Sequence, residues 1–339
     1  MLGIILIQSA KMNKMEIHDV VYGEEEIHEP VLLDLILSPE MQRLKNISQF
    51  GMPDEYYHKK GFSRYEHSIG VFLLVRKFGG SLKEQIVGLL HDVSHTAFSH
   101  VIDWVIGDPS KEDYQDNRHL EFIKNSSLVY ILKKSGFTAE EIADLHSFNL
   151  VDYPAPDLCA DRLDYTLREI VLEEAFKDIS QILESLVVYE GKIIFSNEDS
   201  AFIFSNYYAR FNREHWAGNE AKTRYHILAG ILRIALSGKI LSIEDIKDKD
   251  DHGILRLLEN CENDYIIGEL NLLKKGFKIS KNSGEGSFFL KKKFRCVDPL
   301  VFRDKKLLRL SKINGRYAKI LERDKEELLK EEKITIVGN

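Results

Sequence analysis

The segment "GLLHDVSHTAFSHVIDW", residues 88–104, sets His91, Asp92, His95, His100 and Asp103 among residues that are otherwise largely apolar. A buried helix would take leucine at such positions, because polar side chains removed from water without partners cost several kcal/mol. Any fold for this chain must therefore bring compensating groups or charge to them. On a helix over about 81–93, Ile86, Leu89, Leu90 and Val93 form the apolar stripe, and His91 and Asp92 follow at its C-terminal end. Neighbouring helix residues point about 100° apart, so both reach one point only beside a helix terminus or between two helices. A metal ion is such a point.

Two further ligands stand elsewhere on helical patterns. "RYEHSIGVFLLV" places His67 on a mostly apolar helix, and "DLCADRLDYTLRE" places Asp161 on a later one. Neutral imidazole and carboxylate suit a borderline or hard divalent cation such as Mn²⁺, Fe²⁺, Mg²⁺, Ni²⁺ or Zn²⁺. Each residue alone has an ordinary explanation: His67 as a hydrogen-bonded core histidine, Asp161 as a carboxylate meeting a helix dipole. The conjunction favours a metal, since burying all four without a cation is costly.

Composition narrows the class of protein. The 339 residues are 44% hydrophobic and 30% charged, enough for one large core or for a main domain with an appendage. With 47 basic and 54 acidic residues the net charge is −7, so no global field draws the chain to nucleic acid or anionic lipid. Cys159, Cys261 and Cys296 are odd in number and lack a CxxC pair, which argues for a reducing compartment. The opening "MLGIILIQSA" has no basic residue before its apolar run and is too short to span a bilayer. It reads as a strand, or as residues ahead of a start at Met12 or Met15. The expected location is the cytoplasm, with no membrane partner.

Residues 29–50 carry two helical patterns, with Pro39 opening the second. Helical spacing also marks 64–79, 81–103, 117–134, 138–145, 157–188 and 199–236. "LVVYEGKIIFS" reads as a hairpin around Glu190-Gly191. After residue 260 the chain turns lysine-rich and β-branched, and "GFKISKNSGEGSFFLKKKFRCVDPLVF" predicts short strands around a Gly/Ser turn. A charged helix is expected over 317–332. The fold class is mainly α: a helical core over 1–237, then a smaller α+β appendage over 238–339.

The order H…HD…D resembles the HD-domain phosphohydrolase superfamily, whose fold is a helical bundle. "EIHDVVYGEEEIHEPVLLDLILSPEMQRLKNISQFG", "RYEHSIGV", "HDVSHTAFSH" and "ADRLDYTLRE" follow in order the pattern of the branch of deoxynucleoside triphosphate triphosphohydrolases. The resemblance is good over 16–170, weak through 236 and slight beyond. Two departures stand out. Ser94 replaces the usual glycine of HDxGH, a small-for-small change, and His119 is followed by Leu120 where the family has glutamate. No SAM domain precedes these motifs, so regulation through one is not expected.

The resemblance implies a metal held by His67, His91, Asp92 and Asp161, with the nucleotide as partner. His100 would lie beside the α-phosphate, supported by Asp103 and His119, with His95 on the phosphates. His100 and Asp103 are three apart on one helical face, so the carboxylate can orient the imidazole. Arg64 and Arg162 would form the cationic clamp, arginine matching phosphate oxygens two at a time. Tyr165, four residues after Asp161, would line the sugar pocket. In "NISQFGMP", Gln49 would reach the 3′-hydroxyl and Phe50 would abut carbon 2′ where the family carries an aliphatic residue. "NYYARFNREHWAGNEAKTRYH" interleaves basic and aromatic residues that could hold base and phosphates or an oligomer interface.

The expected activity is hydrolysis of deoxynucleoside triphosphates to deoxynucleoside and inorganic triphosphate by a homo-oligomer, which the region after 237 could help build. The competing readings are a metal-dependent phosphohydrolase acting on another nucleotide or a nucleic-acid end, and a non-catalytic nucleotide sensor.

Overall fold

The computed structural model describes residues 5–9, 14–281, 286–290 and 292–337. Strands β1 (Ile5–Ser9), β2 (Lys14–Asp19) and β3 (Gly23–Ile27) form an antiparallel sheet in that order. The strand expected at the start is present as β1; Met12 lies outside the described residues. Helices follow: α1 (Pro30–Ile36), α2 (Pro39–Arg43), α3 (Arg64–Lys77), α4 (Leu82–Leu90), α5 (Val101–Val105), α6 (Tyr114–Lys124), α7 (Leu128–Lys134) and α8 (Ala139–Ala143). Then come α9 (Ala160–Leu172), α10 (Phe176–Ser185), α11 (Glu198–Phe211) and α12 (Asn219–Ser237). Pro39 opens α2 as expected, behind the Ser38 cap, whose hydroxyl accepts from the Met41 amide.

Helix α3 is the axis of the fold. Ser63 and Glu66 close a capping box at its start, and nearly every side is buried, the mark of a helix covered all round. It packs against α4 and α9, which brings His67, the end of α4 and Asp161 together.

The continuous helix expected over 81–103 is corrected. Helix α4 stops at Leu90, residues 91–100 form turns, and Phe98 and Ser99 sit at φ 61° and 49°. A continuous helix would point Asp92 about 100° away from His91 and His95; the break lets the three converge. The other long patterns break too. Asn125–Ser127 separates α6 from α7, Glu174 at φ 59° separates α9 from α10, and a π-helical turn, Asn212–Trp216, separates α11 from α12.

The predicted hairpin is β4 (Leu186–Tyr189) and β5 (Lys192–Phe195), with Glu190 and Gly191 both at positive φ, as a two-residue primed turn requires. Beyond Ser237 come α13 (Ile243–Asp248), α14 (Asp251–Glu259), α15 (Asp264–Lys275), then the short strands β6 (Lys278–Ser280) and β7 (Phe288–Leu290). These two do not pair with each other. Strand β10 (Glu332–Val337) lies between them, and the centre of the predicted Gly/Ser turn, 282–285, falls outside the described residues. Strands β8 (Leu300–Arg303) and β9 (Lys306–Arg309) extend the β4–β5 hairpin into a four-stranded sheet. The short helix α16 (Leu310–Ile313) and the charged helix α17 (Gly315–Leu328) then pack on α11. The α+β C-terminal region is thus woven back onto the helical part.

The apolar core has two clusters, one around α3, α4 and α9, the other around α12, α14 and α15 with Phe50 and Phe98. Tyr165 packs against both, placing the residues of α3 and α9 at their seam. The three cysteines form no disulfide, and among the described residues no helix is long and apolar enough to cross a membrane.

Candidate active site

His67 is fully buried on α3, His91 caps the end of α4, and Asp161 stands in the first turn of α9. Their ligand atoms converge. Nε2 of His67 lies 3.2 Å from Nε2 of His91 and 3.0 Å from Oδ1 of Asp161, with 3.7 Å between the last two. Asp92 closes the group, Oδ1 at 3.6 Å from His91 Nε2 and Oδ2 at 3.7 Å from His67 Nε2. Adjacent ligands about 2.1 Å from one ion stand about 3 Å apart, and opposite ones about 4 Å, so His67, His91 and Asp161 fit a single divalent cation, with Asp92 beside them. The hydrogen bonding agrees. Nδ1 of His67 donates to Asp164 and Nδ1 of His91 donates to the Gly88 carbonyl, which turns both Nε2 lone pairs toward the same point. Burial lowers the pKa of the His67 ring, but Asp161 and Asp164 outweigh it and raise it to about 9. Burial works against the Asp161 carboxylate too, yet the two histidines hold it well below the usual range.

A second layer supports the first. Asp164, three residues after Asp161, accepts from His67 Nδ1 at 2.7 Å, from Arg168 Nε at 2.9 Å and from the Tyr22 hydroxyl at 2.8 Å. Arg168 also donates to Asp19, whose other oxygen accepts the Val21 and Tyr22 amides in the β2–β3 turn. Gly70 makes room: a Cβ there would stand 1.8 Å from Asp164 Oδ1. Sequence reading missed all of these. The signal was the second aspartate of "ADRLD" and a glycine one turn from a histidine on the same helix.

The candidate acid-base residues gather beside the metal point. His95 Nε2 is 3.3 Å from Asp92 Oδ1, and its ring stands perpendicular to that of His100 at 5.0 Å between centroids. His100 Nδ1 is 3.4 Å from Asp103 Oδ2, and Asp103 Oδ1 accepts the Tyr114 amide at 3.1 Å. The left-handed Phe98 and Ser99 aim His100 into the cavity, and buried Asp251 holds that turn by accepting the Phe98 and Ser48 amides. His119 is almost fully buried, and among the described residues its hydrogen-bond partner is Ser94, whose hydroxyl stands 3.0 Å from its Nδ1. Ser94 is therefore more than a small stand-in for glycine; it gives His119 a partner that glycine lacks.

His91, Asp92, Asp161, His100 and several cations and aromatics line one cavity of about 420 Å³, within the usual range of ligand pockets. Residues 64–169 match the HD domain family. The chain is 38% identical over 313 residues to the uncharacterized protein YdhJ of Bacillus subtilis, covering 90% of this chain and 94% of that one. It is 33% identical over 245 residues to the metal-dependent phosphohydrolase cns2 of Cordyceps militaris, covering 70% and 69%. This chain belongs to the HD-domain metal-dependent phosphohydrolases. A more distant relative, a deoxynucleoside triphosphate triphosphohydrolase SAMHD1 homolog of Dictyostelium discoideum, is 25% identical over 247 residues, 60% of this chain and 46% of that one. The crystal structure of a phosphohydrolase from Bacteroides thetaiotaomicron shares the fold, with TM-score 0.72 and 17% identity over 96% of this chain and 99% of that one.

In this phosphohydrolase the two arginines expected as a clamp already have partners. Arg64 is buried, donating from Nη1 to Asp92 Oδ2 at 2.6 Å and from Nε to the Ser99 hydroxyl at 3.0 Å. Arg162 donates to the Tyr153 and Asp157 carbonyls and the Cys159 sulfur. Both line the cavity, but neither guanidinium is uncommitted. Three other cations line it: Lys222, Lys293 and Arg295, gathered around Glu112. Lys222 was legible in principle, because it shares the buried face of α12 with Tyr225, Ala229 and Leu232 at helical spacing. Arg295 and Lys293 lie where the family pattern has faded.

The aromatic side of the cavity holds Gln49, Phe50, Tyr57, Tyr165, Tyr208 and Trp216. The Tyr165 hydroxyl is 2.8 Å from that of Tyr208. The Phe50 ring meets the His215 ring edge-on at 4.4 Å, and His215 in turn donates to Glu169. Gln49 Oε1 is buried and has no hydrogen-bond partner among the described residues.

Proposed function

We propose that this phosphohydrolase cleaves deoxynucleoside triphosphates at the α-phosphate, releasing deoxynucleoside and inorganic triphosphate. The supporting observation is that His91, Asp92 and Asp161 line one cavity together with His100, a cationic wall and an aromatic wall. Phosphates, leaving oxygen and nucleoside each find a chemically matched surface.

His67, His91 and Asp161, with Asp92, would hold a divalent cation, which would supply Lewis-acid polarisation of a phosphoryl oxygen. His100 passes a proton to the departing oxygen, and the Asp103 carboxylate, 3.4 Å from its Nδ1, favours the protonated imidazole that this role needs. His95 hydrogen-bonds the phosphates, and His119 supports this group from behind Ser94. Arg64 keeps Asp92 ionised and oriented: burial alone would raise that carboxyl, but Arg64 brings it well below the usual range. Tyr165 and Phe50 flank the sugar, and Gln49 offers its unpaired oxygen to the 3′-hydroxyl. The SAMHD1 homolog carries this activity in its name, which adds weight to the substrate class. The resemblance of the sequence motifs further implies a homo-oligomer, which we propose with this activity.

A second reading, hydrolysis of a nucleoside monophosphate or another phosphate ester, is favoured by the commitment of Arg64 and Arg162 to other partners. The deciding experiment screens the Mn²⁺- or Fe²⁺-reconstituted protein against all nucleotides and separates the products. Triphosphate release supports the proposal; release of pyrophosphate or orthophosphate in place of triphosphate refutes it.

A further inference from the structure

Lys222 is buried at 3% exposure and donates from Nζ to Glu112 Oε1 at 3.0 Å. Arg295 pairs with the other oxygen, and Lys293 Nζ stands 3.9 Å from it while donating to the Lys111 carbonyl. The Arg295 backbone is anchored, its carbonyl accepting from Asn212 Nδ2 in the π-helical turn at 3.0 Å. Three cations thus converge on one carboxylate, and all four residues line the cavity that contains the metal point. Asp103 is the next acid in the field of Lys222, and it already faces His100. The cluster therefore keeps a surplus of positive charge in a partly buried place, where an unneutralised cation is costly. It is short of an anion.

Glu112 is held under constraint. It is 5% exposed and its backbone lies at φ 55°, a conformation that residues with a Cβ rarely adopt. Its amide donates to the Asp108 carbonyl, closing the turn that aims the side chain inward. Burial works against its charge, but Arg295 and Lys222 keep the carboxyl ionised. A phosphate group offers the same oxygens with more charge and satisfies the three cations without a strained backbone.

We propose that Lys222, Lys293 and Arg295 receive the distal phosphates of the substrate, and that Glu112 is a resident counter-anion which those phosphates displace. The inference rests on the triphosphate reading above and adds a selection for chain length. A polyphosphate carries enough charge to exchange with Glu112; a single phosphate held at the metal point does not reach the exchange.

Calorimetric titration of inorganic tripolyphosphate into the full-length protein tests this without any nucleoside or turnover. Glu112→Gln removes the competitor and should tighten tripolyphosphate binding roughly tenfold, whereas Arg295→Gln should weaken it by about as much, the scale of one charge-assisted contact. Orthophosphate binding should be the same in wild type and Glu112→Gln. Glu112→Asp, which draws the carboxylate back by one methylene, should shift tripolyphosphate affinity in the same direction by less, and it serves if the glutamine variant does not fold. Affinity in a folded Glu112 variant equal to or weaker than wild type overturns the proposal and makes Glu112 a structural counter-ion. The two readings fail separately: tripolyphosphate binding that responds to Glu112 and Arg295 in a protein that cleaves no triphosphate refutes only the substrate.

Discussion

The Asp164 carboxylate lies 2.7 Å from Nδ1 of His67, and this bond decides which nitrogen of the imidazole faces the ion. The same carboxylate is fixed by Arg168 and Tyr22, so a turn between two N-terminal strands reaches the metal point through three side chains. Supporting partners of this kind typically contribute 10–100-fold to metal affinity, and roughly that loss is expected for Asp164→Asn. Tyr22→Phe should cost less, because Arg168 stays. Competitive metal titration of the folded variants checks both, and undiminished affinity in Asp164→Asn would show the bond to be incidental.

The four-ligand assignment stands on a simpler measurement. Asp92→Ala removes one proposed ligand and leaves Arg64 without its carboxylate partner. After reconstitution with Mn²⁺ or Fe²⁺, elemental analysis should find the variant depleted relative to wild type. Equal content in both would remove Asp92 from the set.

His100→Ala separates chemistry from binding. His100 contacts no metal ligand directly through a hydrogen bond, and its imidazole faces Asp103 and the cavity. Metal content should be unchanged while turnover falls roughly 10²-fold or more, the usual scale for a positioned acid or base. Unaltered turnover with intact metal would reduce His100 to a residue that begins α5.

Acid should destabilise the fold through His119. Burial, with the His91 ring nearby, holds its pKa down to about 4. The unfolded chain takes up a proton near pH 6.5, the native ring only near 4, so stability is complete above 6.5 and drains away between those values. The contribution is roughly 3 kcal/mol at most. Urea unfolding between pH 7.5 and 4 should therefore show a steeper loss in wild type than in His119→Asn, and identical slopes would place the acid sensitivity elsewhere.

The residues that converge at the candidate metal point were legible because each feature has a local signature. His67 interrupts an apolar helix, His91-Asp92 ends one, and Asp161 opens one, so residue type and spacing sufficed. The network behind them was not, since Asp164 and Arg168 at i and i+4 look like any exposed helical ion pair, and Tyr22 is distant in sequence. Val93, Ala97 and Val101 carry the apolar pattern straight across the break after Leu90, and for that reason periodicity over 81–103 read as one helix. Arg64 and Arg162 were assigned by residue type, but the Asp92 carboxylate and the carbonyls of 153 and 157 that occupy them are tertiary facts. Strands β6 and β7 were visible as β-branched runs; that β10 would slide between them depends on how the last helix returns the chain.

Phe50 carries the last prediction, the discrimination of sugars. Its ring is 6% exposed, lines the cavity, and is pinned edge-on against His215 at 4.4 Å and against Phe62 at 5.3 Å. Its carbonyl accepts from the Tyr225 hydroxyl, so the backbone that presents it is held as well. A ring so fixed yields little to an added 2′-hydroxyl and offers it no hydrogen bond. Apolar contact alone rejects a hydroxyl by about 10²-fold, and at least that preference for deoxy- over ribonucleotides is expected. Phe50→Ala would test the gate at a cost of about 3–5 kcal/mol in core stability, so Phe50→Leu, which keeps most of the packing, is the better variant. It should admit ribonucleotides and narrow the ratio of kcat/KM for dATP over ATP and dGTP over GTP. If the wild type hydrolyses both sugars equally, Phe50 is a core residue of the aromatic cluster, and the phosphohydrolase selects its substrate by other contacts.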